Sequence, residues 1–362
     1  MSHLPPEVQK QLDEQKAECP FCKIIKGEIE SKKVFEDKDL QAILDINPVI
    51  KGHTLLVPKE HYPILPMLPP EVFKHMFTIM PKFLGAVQKA MLSLGVNLVI
   101  ANGGVAGQRS PHFLMHVFPR DTGDGFNKYE LSKNQGLDEK KEQEAVAMLS
   151  QNIPQMMGNH FQRNPAKWKT GKIETGKHLE GIKSGAKVIY EDEKFLCVVH
   201  QTPQAIGHLA IYSQEEEHDI TKLEGDIAFH MFSVASLCAT AVYEGLKAEG
   251  SNIILLSGKS DDNPQGKLAI HILPRYEKDG FDMVGEPLEN KPDVDEVASK
   301  IKGEMFELEN AGKDEKKIEV IDYDKEKKIV YSDKSEVVKV EKKSYNDPVD
   351  EITDAMDDLL GD

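Results

Sequence analysis

The sequence predicts an α+β fold in which one domain, an antiparallel sheet packed by one main helix, occurs twice along the chain. Three observations predict it. The two halves of the 362-residue chain align at one constant offset, each half contains short β-rich runs bounded by Asp, Asn, Pro and Gly, and each has one long segment with the apolar spacing of an amphipathic helix. We expect the two copies to pair within the chain as a pseudo-dimer, because two-fold interfaces use the same patch on both partners.

The internal repeat is visible in short matched motifs. His75-Met76-Phe77 recurs as His230-Met231-Phe232, and Gly52-His53 recurs as Gly207-His208. Further matches keep the same offset towards the end of each half. Coincidence cannot maintain a single offset over such a length, so the chain carries a duplicated domain.

The elements of the first copy follow from its local patterns. Strands are expected at residues 42–44, 54–57, 97–101 and 112–118. The main helix is expected over 70–94, where apolar side chains recur at spacings of three and four. A Gly-rich turn at 102–107 joins the last two strands, and charged helical stretches are expected after the two copies, at 137–157 and 294–310.

These patterns divide the chain into five parts. They are an N-terminal helix at 1–18, a first domain at 19–135, a linker with a helix at 136–185, a degenerate second domain at 186–312, and a charged tail at 313–362. The tail should contain short strands, from alternating runs at 318–323, 328–331 and 337–340, and an acidic amphipathic helix after Asp347-Pro348. That helix could dock on a protein partner or pack on its own domain, and a frayed terminus explains the composition equally well.

Composition and charge exclude several classes of protein. A formal net charge of −16 at pH 7 argues against broad binding to nucleic acid or anionic lipid. We find no run of the ~18 apolar residues typical of a membrane span and no signal peptide at the N-terminus. The four cysteines include a single C-x-x-C, which fits a reducing compartment better than a disulfide framework. We therefore expect a cytoplasmic, monomeric protein with no membrane partner.

The segment SPHFLMHVFPR at 110–120 resembles the signature strand of the histidine triad (HIT) superfamily, in which three histidines alternate with apolar residues. Four other segments of the first copy agree with the family, at residues 19–22, 45–53, 58–61 and 102–108. The resemblance is specific over 19–126 and weaker over 186–281. It implies that the protein binds purine nucleotides and that the middle histidine of the triad attacks the α-phosphorus during nucleotidyl transfer or hydrolysis.

Two residues depart from the family pattern. Leu114 stands at the middle triad position, as does Ala269 in the second copy, and neither side chain has the lone pair that a nucleophile needs. Arg109 replaces a small hydroxyl residue and could either pair with phosphate as a charged fork or fill the site. We therefore expect a non-catalytic or weakly active pseudoenzyme. The alternative is a nucleotidyl hydrolase or transferase acting on nucleoside phosphoramidates or dinucleoside polyphosphates, in which His116 or a recruited water replaces the missing histidine.

A zinc site is also implied by the resemblance. Its ligands would be Cys19, Cys22, His61 and His112. Two thiolates and two imidazoles complete the tetrahedral shell that structural Zn²⁺ takes in proteins. The alternative interpretation is that the cysteines are buried thiols and His112 a hydrogen-bonded core histidine.

The resemblance further places a set of residues around a purine nucleotide. They are Asp45, Ile46, Asn102, Gly107, Gln108 and His116. The Asp45 carboxylate would accept hydrogen bonds from the ribose hydroxyls, with Ile46 against the base, while backbone N–H groups of the Gly-rich turn would bind phosphate. The composition of the Asp45 segment also fits a strand-ending turn with no ligand.

The second copy has lost most of these features. Of the triad only His271 remains, and His200 stands where the first copy has Asp45. No C-x-x-C precedes this copy. We expect it to serve as a packing partner of the first.

Overall fold

The computed structural model describes residues 6–126, 136–277, 279, 281, 285–310, 319–323 and 326–330. Two compact units divide the chain, Met1–Glu309 and Asn310–Asp362. The first unit contains both copies of the repeat. In the second unit, strands β11 (Glu319–Tyr323) and β12 (Glu326–Val330) form an antiparallel hairpin, while the run at 337–340 and the acidic helix expected after Asp347 lie outside the described residues.

The first copy contains the predicted strands and main helix. Its elements in chain order are α1 (Pro6–Glu18), α2 (Pro20–Ile25), β1 (Lys33–Glu36), β2 (Leu40–Leu44), β3 (Thr54–Pro58), α3 (Pro70–Met91), β4 (Gly95–Asn102) and β5 (Met115–Arg120). The last strand begins later than predicted. Residues 112–114 precede it because His112 and Phe113 bond to the last residue of β3 and to the segment that follows: the His112 side chain donates from Nε2 to Pro58 O, and Phe113 N donates to Tyr62 O.

The second copy repeats this order. Its elements are α4 (Glu139–Arg163), α5 (Glu180–Gly185), β6 (Val188–Glu191), β7 (Phe195–Val199), β8 (Leu209–Ser213), α6 (Gly225–Leu246), β9 (Gly250–Gly258), β10 (Ala269–Arg275) and α7 (Val294–Asn310). The charged helices expected after each copy are α4 and α7. Asp138 caps α4 by accepting from the backbone N–H groups of Lys140 and Lys141, as an N-cap aspartate does.

One continuous antiparallel sheet joins the two copies. Its strand order is β1-β2-β3-β5-β4-β9-β10-β8-β7-β6. The central pair, β4 and β9, runs in antiparallel register from Gly95 opposite Gly258 to Asn102 opposite Ser251. Each copy supplies the same strand to this seam, so the predicted intrachain pseudo-dimer is confirmed.

The two main helices pack against one another on the same side of the sheet. The rings of Phe77 in α3 and Phe232 in α6 stack with centroids 4.3 Å apart, and these residues occupy matching places in the repeated His-Met-Phe motif. Apolar side chains of both copies form one buried core cluster. Each copy therefore covers the apolar face of the other.

Helix α6 is long and apolar enough, by length and composition, to cross a membrane. The apolar window has a mean hydropathy of 1.4, and 61% of it is buried inside the fold. Core helices pass the same test, and α6 packs against α3, α4 and the sheet. The prediction that no segment of the chain is long and apolar enough for a membrane span is therefore wrong for α6.

Candidate functional site

The four predicted metal ligands lie together in the first copy. One ligand atom from each of Cys19, Cys22, His61 and His112 lies within 4.8 Å of all the others. Cys19 and Cys22 flank the start of α2, where Pro20 fits the first helical position. His61 comes from the segment after β3 and His112 from the residues before β5.

The hydrogen bonds of this cluster suit metal coordination. His112 Nε2 donates to Pro58 O at 2.9 Å, which leaves the Nδ1 lone pair facing the thiols, 3.5 Å from Cys19 Sγ. His61 Nδ1 lies 3.4 Å from Cys22 Sγ. A backbone acceptor on the far nitrogen is the usual way in which proteins orient a metal-binding histidine.

The protonation states of the cluster also favour metal binding. Burial lowers the pKa of His112 to about 4, so its imidazole is neutral, which is the form that binds metals. Burial and the neighbouring Cys19 raise the pKa of Cys22 to about 12. The Cys22 thiol therefore stays protonated until a bound cation displaces its proton, and the donor set of two sulfurs and two nitrogens fits a tetrahedral soft metal ion.

A cavity of about 270 Å³ adjoins the metal cluster. Phe21 forms part of its wall, and the Phe21 ring centroid lies 5.9 Å from that of His112. Four of the six residues expected around a nucleotide line it: Asp45, Gly107, Gln108 and His116. Leu114, which stands at the middle triad position, also lines it.

The other two residues, Ile46 and Asn102, do not line the cavity. Ile46 is 73% exposed. Asn102 ends β4 at the seam, where its side-chain carbonyl accepts from Leu65 N and its amide lies 3.4 Å from Ser251 Oγ of the second copy. No pattern in the sequence indicates these contacts, because the partner Ser251 is known only once β4 and β9 are paired.

The buried His53 lies between two residues of the cavity wall, Asp45 and His116. His53 Nε2 lies 3.0 Å from His116 Nδ1, and His53 Nδ1 faces Asp45 Oδ2 at 3.6 Å. Burial lowers the pKa of both histidines to about 3, so both imidazoles are neutral. His53 is not among the site residues predicted from the sequence. The signal that could have found it is the Gly-His motif, which recurs in both copies.

The side chain of Gln108 stabilises the Gly-rich turn to which it belongs. Gly107 has φ +91°, a left-handed conformation that favours glycine. The Gln108 amide donates to Pro63 O at 2.6 Å and accepts from Gly103 N at 2.9 Å. Gln108 therefore fixes the shape of the turn, while Arg109 lies exposed along the cavity wall and does not fill the cavity.

A segment that follows the second copy completes the cavity. Gly285 and Pro287 line it, and Leu288 N donates to Pro48 O at 2.8 Å. The Lys291 ammonium donates to Ile46 O at 2.8 Å. The second domain thus closes the side of the first-domain cavity next to Asp45.

The second copy has no comparable arrangement in the described parts of the chain. His208 Nε2 lies 3.2 Å from His271 Nδ1, which repeats the first-copy histidine pair, but the ring of His200 replaces the carboxylate and stacks on His208 at 4.6 Å. Both metal-ligand clusters found among the described residues belong to the first copy. The turn that corresponds to the phosphate turn instead supplies Asp262, which forms a salt bridge with Arg120 of the first copy.

The fold and these sites define a tandem-domain protein with a histidine-lined cavity and a Cys/His cluster. The sequence profile of the HIT domain matches residues 26–123 and 183–278. The chain therefore belongs to the HIT family, with one HIT domain in each half.

Individual relatives match over about one domain. The chain is 44% identical over 122 residues to an uncharacterized HIT-like protein of Methanocaldococcus jannaschii, which covers 33% of this chain and 94% of that protein. It is 39% identical over 133 residues to the adenylylsulfatase HINT3 of Arabidopsis thaliana, covering 37% of this chain and 66% of that protein. A zinc-bound HIT family protein from Mycobacterium smegmatis is 34% identical over 30% of this chain and 80% of that one, with a TM-score of 0.29.

Proposed function

We propose that the first domain binds a purine nucleotide as a pseudoenzyme, non-catalytic or weakly active, whose fold is stabilised by zinc. The observation that carries this proposal is Leu114. Its side chain lines the cavity at the place of the family nucleophile, while Asp45 and His116 line the same cavity. A leucine cannot attack phosphorus, but it does not prevent a nucleotide from lying between the surviving groups.

The walls of the cavity are chemically suited to a nucleotide. Asp45 offers a carboxylate oxygen to ribose hydroxyls, and the Gly107 turn offers backbone N–H groups to a phosphate. The volume of about 270 Å³ lies just below the usual range for small-molecule sites. The A. thaliana relative is named an adenylylsulfatase, an activity on a nucleotide, which supports the same class of ligand here.

Zinc is the metal that the Cys/His cluster fits best. Sulfur and imidazole ligands in equal number are typical of structural zinc sites, which are closed to substrate. The cluster joins α2 to the residues before β5, so metal binding would contribute directly to the stability of the first domain. The site needs reduced thiols, so we propose that the protein resides in a reducing compartment, the cytoplasm. We also propose that it is a monomer, because its two domains pair within one chain.

Calorimetric titration of the full chain with AMP tests the proposal. We expect one binding site per chain, weakened about tenfold or more in Asp45→Ala, because hydrogen bonds to a charged carboxylate contribute about 1.5–3 kcal/mol. His200→Ala, at the matching place in the second domain, is the control and should bind AMP as the parent does. Unchanged binding in Asp45→Ala, or no binding to the parent, would contradict the proposal.

Turnover of a dinucleoside polyphosphate that disappears in His116→Ala would establish the enzyme alternative instead.

A further inference from the structure

Arg109 is a cation without an acidic partner at the wall of the cavity. It is exposed and lines the cavity, and in the described residues it makes no hydrogen bond or ion pair. Arg120 and Arg275, by contrast, are buried and each is held by a nearby aspartate. The chain carries 61 acidic against 45 basic residues, so an unpaired guanidinium beside a cavity is not explained by a shortage of carboxylates.

Ser110 provides a second, independent observation at the same wall. It lines the cavity, and its hydroxyl is buried with no hydrogen-bond partner among the described residues. Buried polar groups nearly always have a partner. The hydroxyl is therefore available to a ligand in the cavity.

The charged side chains that line the cavity are Asp45 and Arg109. An anionic group in the cavity is repelled by the Asp45 carboxylate and attracted by the Arg109 guanidinium. A second phosphate, attached to a phosphate on the Gly107 turn, would therefore be most stable beside Arg109 and Ser110.

We infer that Arg109 and Ser110 form an additional anion subsite, and that the first domain prefers a nucleoside diphosphate over a monophosphate. This inference rests on the proposed nucleotide binding and names its ligand class. The guanidinium presents paired N–H donors that match phosphate oxygens, and the Ser110 hydroxyl supplies a further donor. Arg109 is a specificity-determining residue in this arrangement.

The test is calorimetric titration of the full chain with AMP and with ADP at one ionic strength. We expect ADP to bind about tenfold or more tightly than AMP, since charge-assisted hydrogen bonds of this kind are worth a factor of that size. The ratio of the two affinities should fall towards one in Arg109→Met, fall less in Arg109→Lys, and decrease in Ser110→Ala. Lys187→Met, at an exposed lysine of the second domain, is the control and should leave the ratio unchanged.

Two results would overturn the inference. The first is equal affinity of the parent for AMP and ADP. The second is a preference for ADP that persists in Arg109→Met. If neither nucleotide binds to the parent, the proposed function itself fails, and this outcome is distinct from AMP binding without a preference for ADP.

Discussion

Asp262 of the second domain forms a salt bridge with Arg120 of the first at 2.7 Å, and both side chains are fully buried. Asp262 belongs to the turn that corresponds to the phosphate turn of the first copy. The same loop also supplies Asp261, whose carboxylate accepts from Gly123 N at 2.7 Å. A loop that surrounds a ligand cavity in one copy therefore joins the two domains in the other, which explains how the second copy persists without the triad chemistry.

Loss of the Asp262 carboxylate should destabilise the chain strongly. Asp262→Ala leaves Arg120 buried with Asp124 as its remaining carboxylate partner, and breaking a buried ion pair lowers the free energy of unfolding by about 3–5 kcal/mol. Urea unfolding monitored by circular dichroism measures this. The control is Glu215→Ala, in a pair with Lys194 where Glu215 is 70% exposed, which should change the free energy of unfolding by about 1 kcal/mol or less. Equal effects of the two substitutions would contradict the assigned role of Asp262.

The close approach of β4 and β9 makes a second prediction. A Cβ atom on Gly258 would lie 2.4 Å from Leu94 O, and the residue has φ +73°. Gly258→Ala should therefore lower the free energy of unfolding by more than about 1 kcal/mol. The control is Gly181→Ala, a helical position where a Cβ meets nothing within 4 Å, which should be neutral or slightly stabilising. A Gly258→Ala variant as stable as the parent would show that the seam does not form in solution.

The Cys/His cluster predicts a metal content. Protein purified with zinc should hold about one equivalent per chain, measured by elemental analysis, and the double variant Cys19→Ser with Cys22→Ser should hold none. Cys197→Ala is the control, since Cys197 is buried and contacts Cys238 rather than the cluster. Chelation should lower the melting temperature of the parent and not that of the double variant. Zinc retained by the double variant would contradict the ligand assignment.

The histidine pair of the second domain predicts a dependence of stability on pH. Burial lowers the pKa of His208 well below 6.5 and that of His271 to about 3. In the unfolded chain both take up a proton near pH 6.5, so the unfolded state binds more protons below that pH. The stability due to the neutral pair is complete above pH 6.5 and decreases as the pH falls, by about 1.4 kcal/mol per pH unit for each histidine.

Two measurements check this pair. Urea unfolding between pH 7.5 and 5 should show the loss of stability. The NMR signals of the His208 and His271 rings should not titrate near pH 6.5, because burial lowers the pKa of both histidines in the folded protein. Ring signals that titrate near pH 6.5 in the folded protein would contradict the assigned burial. His75 serves as an internal reference. Its hydrogen bond to Asp37 is the main reason that its pKa is raised above 6.5, so its ring signal should titrate while those of His208 and His271 do not.

Local patterns predicted much of this molecule. The repeat, the strands, the main helices and the pairing of the copies follow from residue types and spacings that the sequence shows directly. The ligand cluster is different, because the resemblance to the HIT superfamily implied that His61 and His112 join Cys19 and Cys22, and the structure brings the four together.

Contacts between the copies could not be predicted in the same way. Asp262 and Arg120 are far apart in sequence, and no pattern links them before the strands are paired. The approach of Lys291 to Ile46, and of Pro287 to the cavity, depends likewise on the position of the segment after the second copy. The resemblance to the HIT superfamily implied that Asn102 lines the phosphate turn, but its side chain bonds to Leu65 and across the seam.

The most direct test of the central claim, a nucleotide site without its nucleophile, is incubation with adenosine 5′-phosphoramidate followed by measurement of released AMP. The parent chain should release none above the uncatalysed rate, because Leu114 has no lone pair. Leu114→His should restore release, since it returns an imidazole to a cavity that retains His116 and Asp45. Release of AMP by the parent that disappears in His116→Ala would contradict the claim.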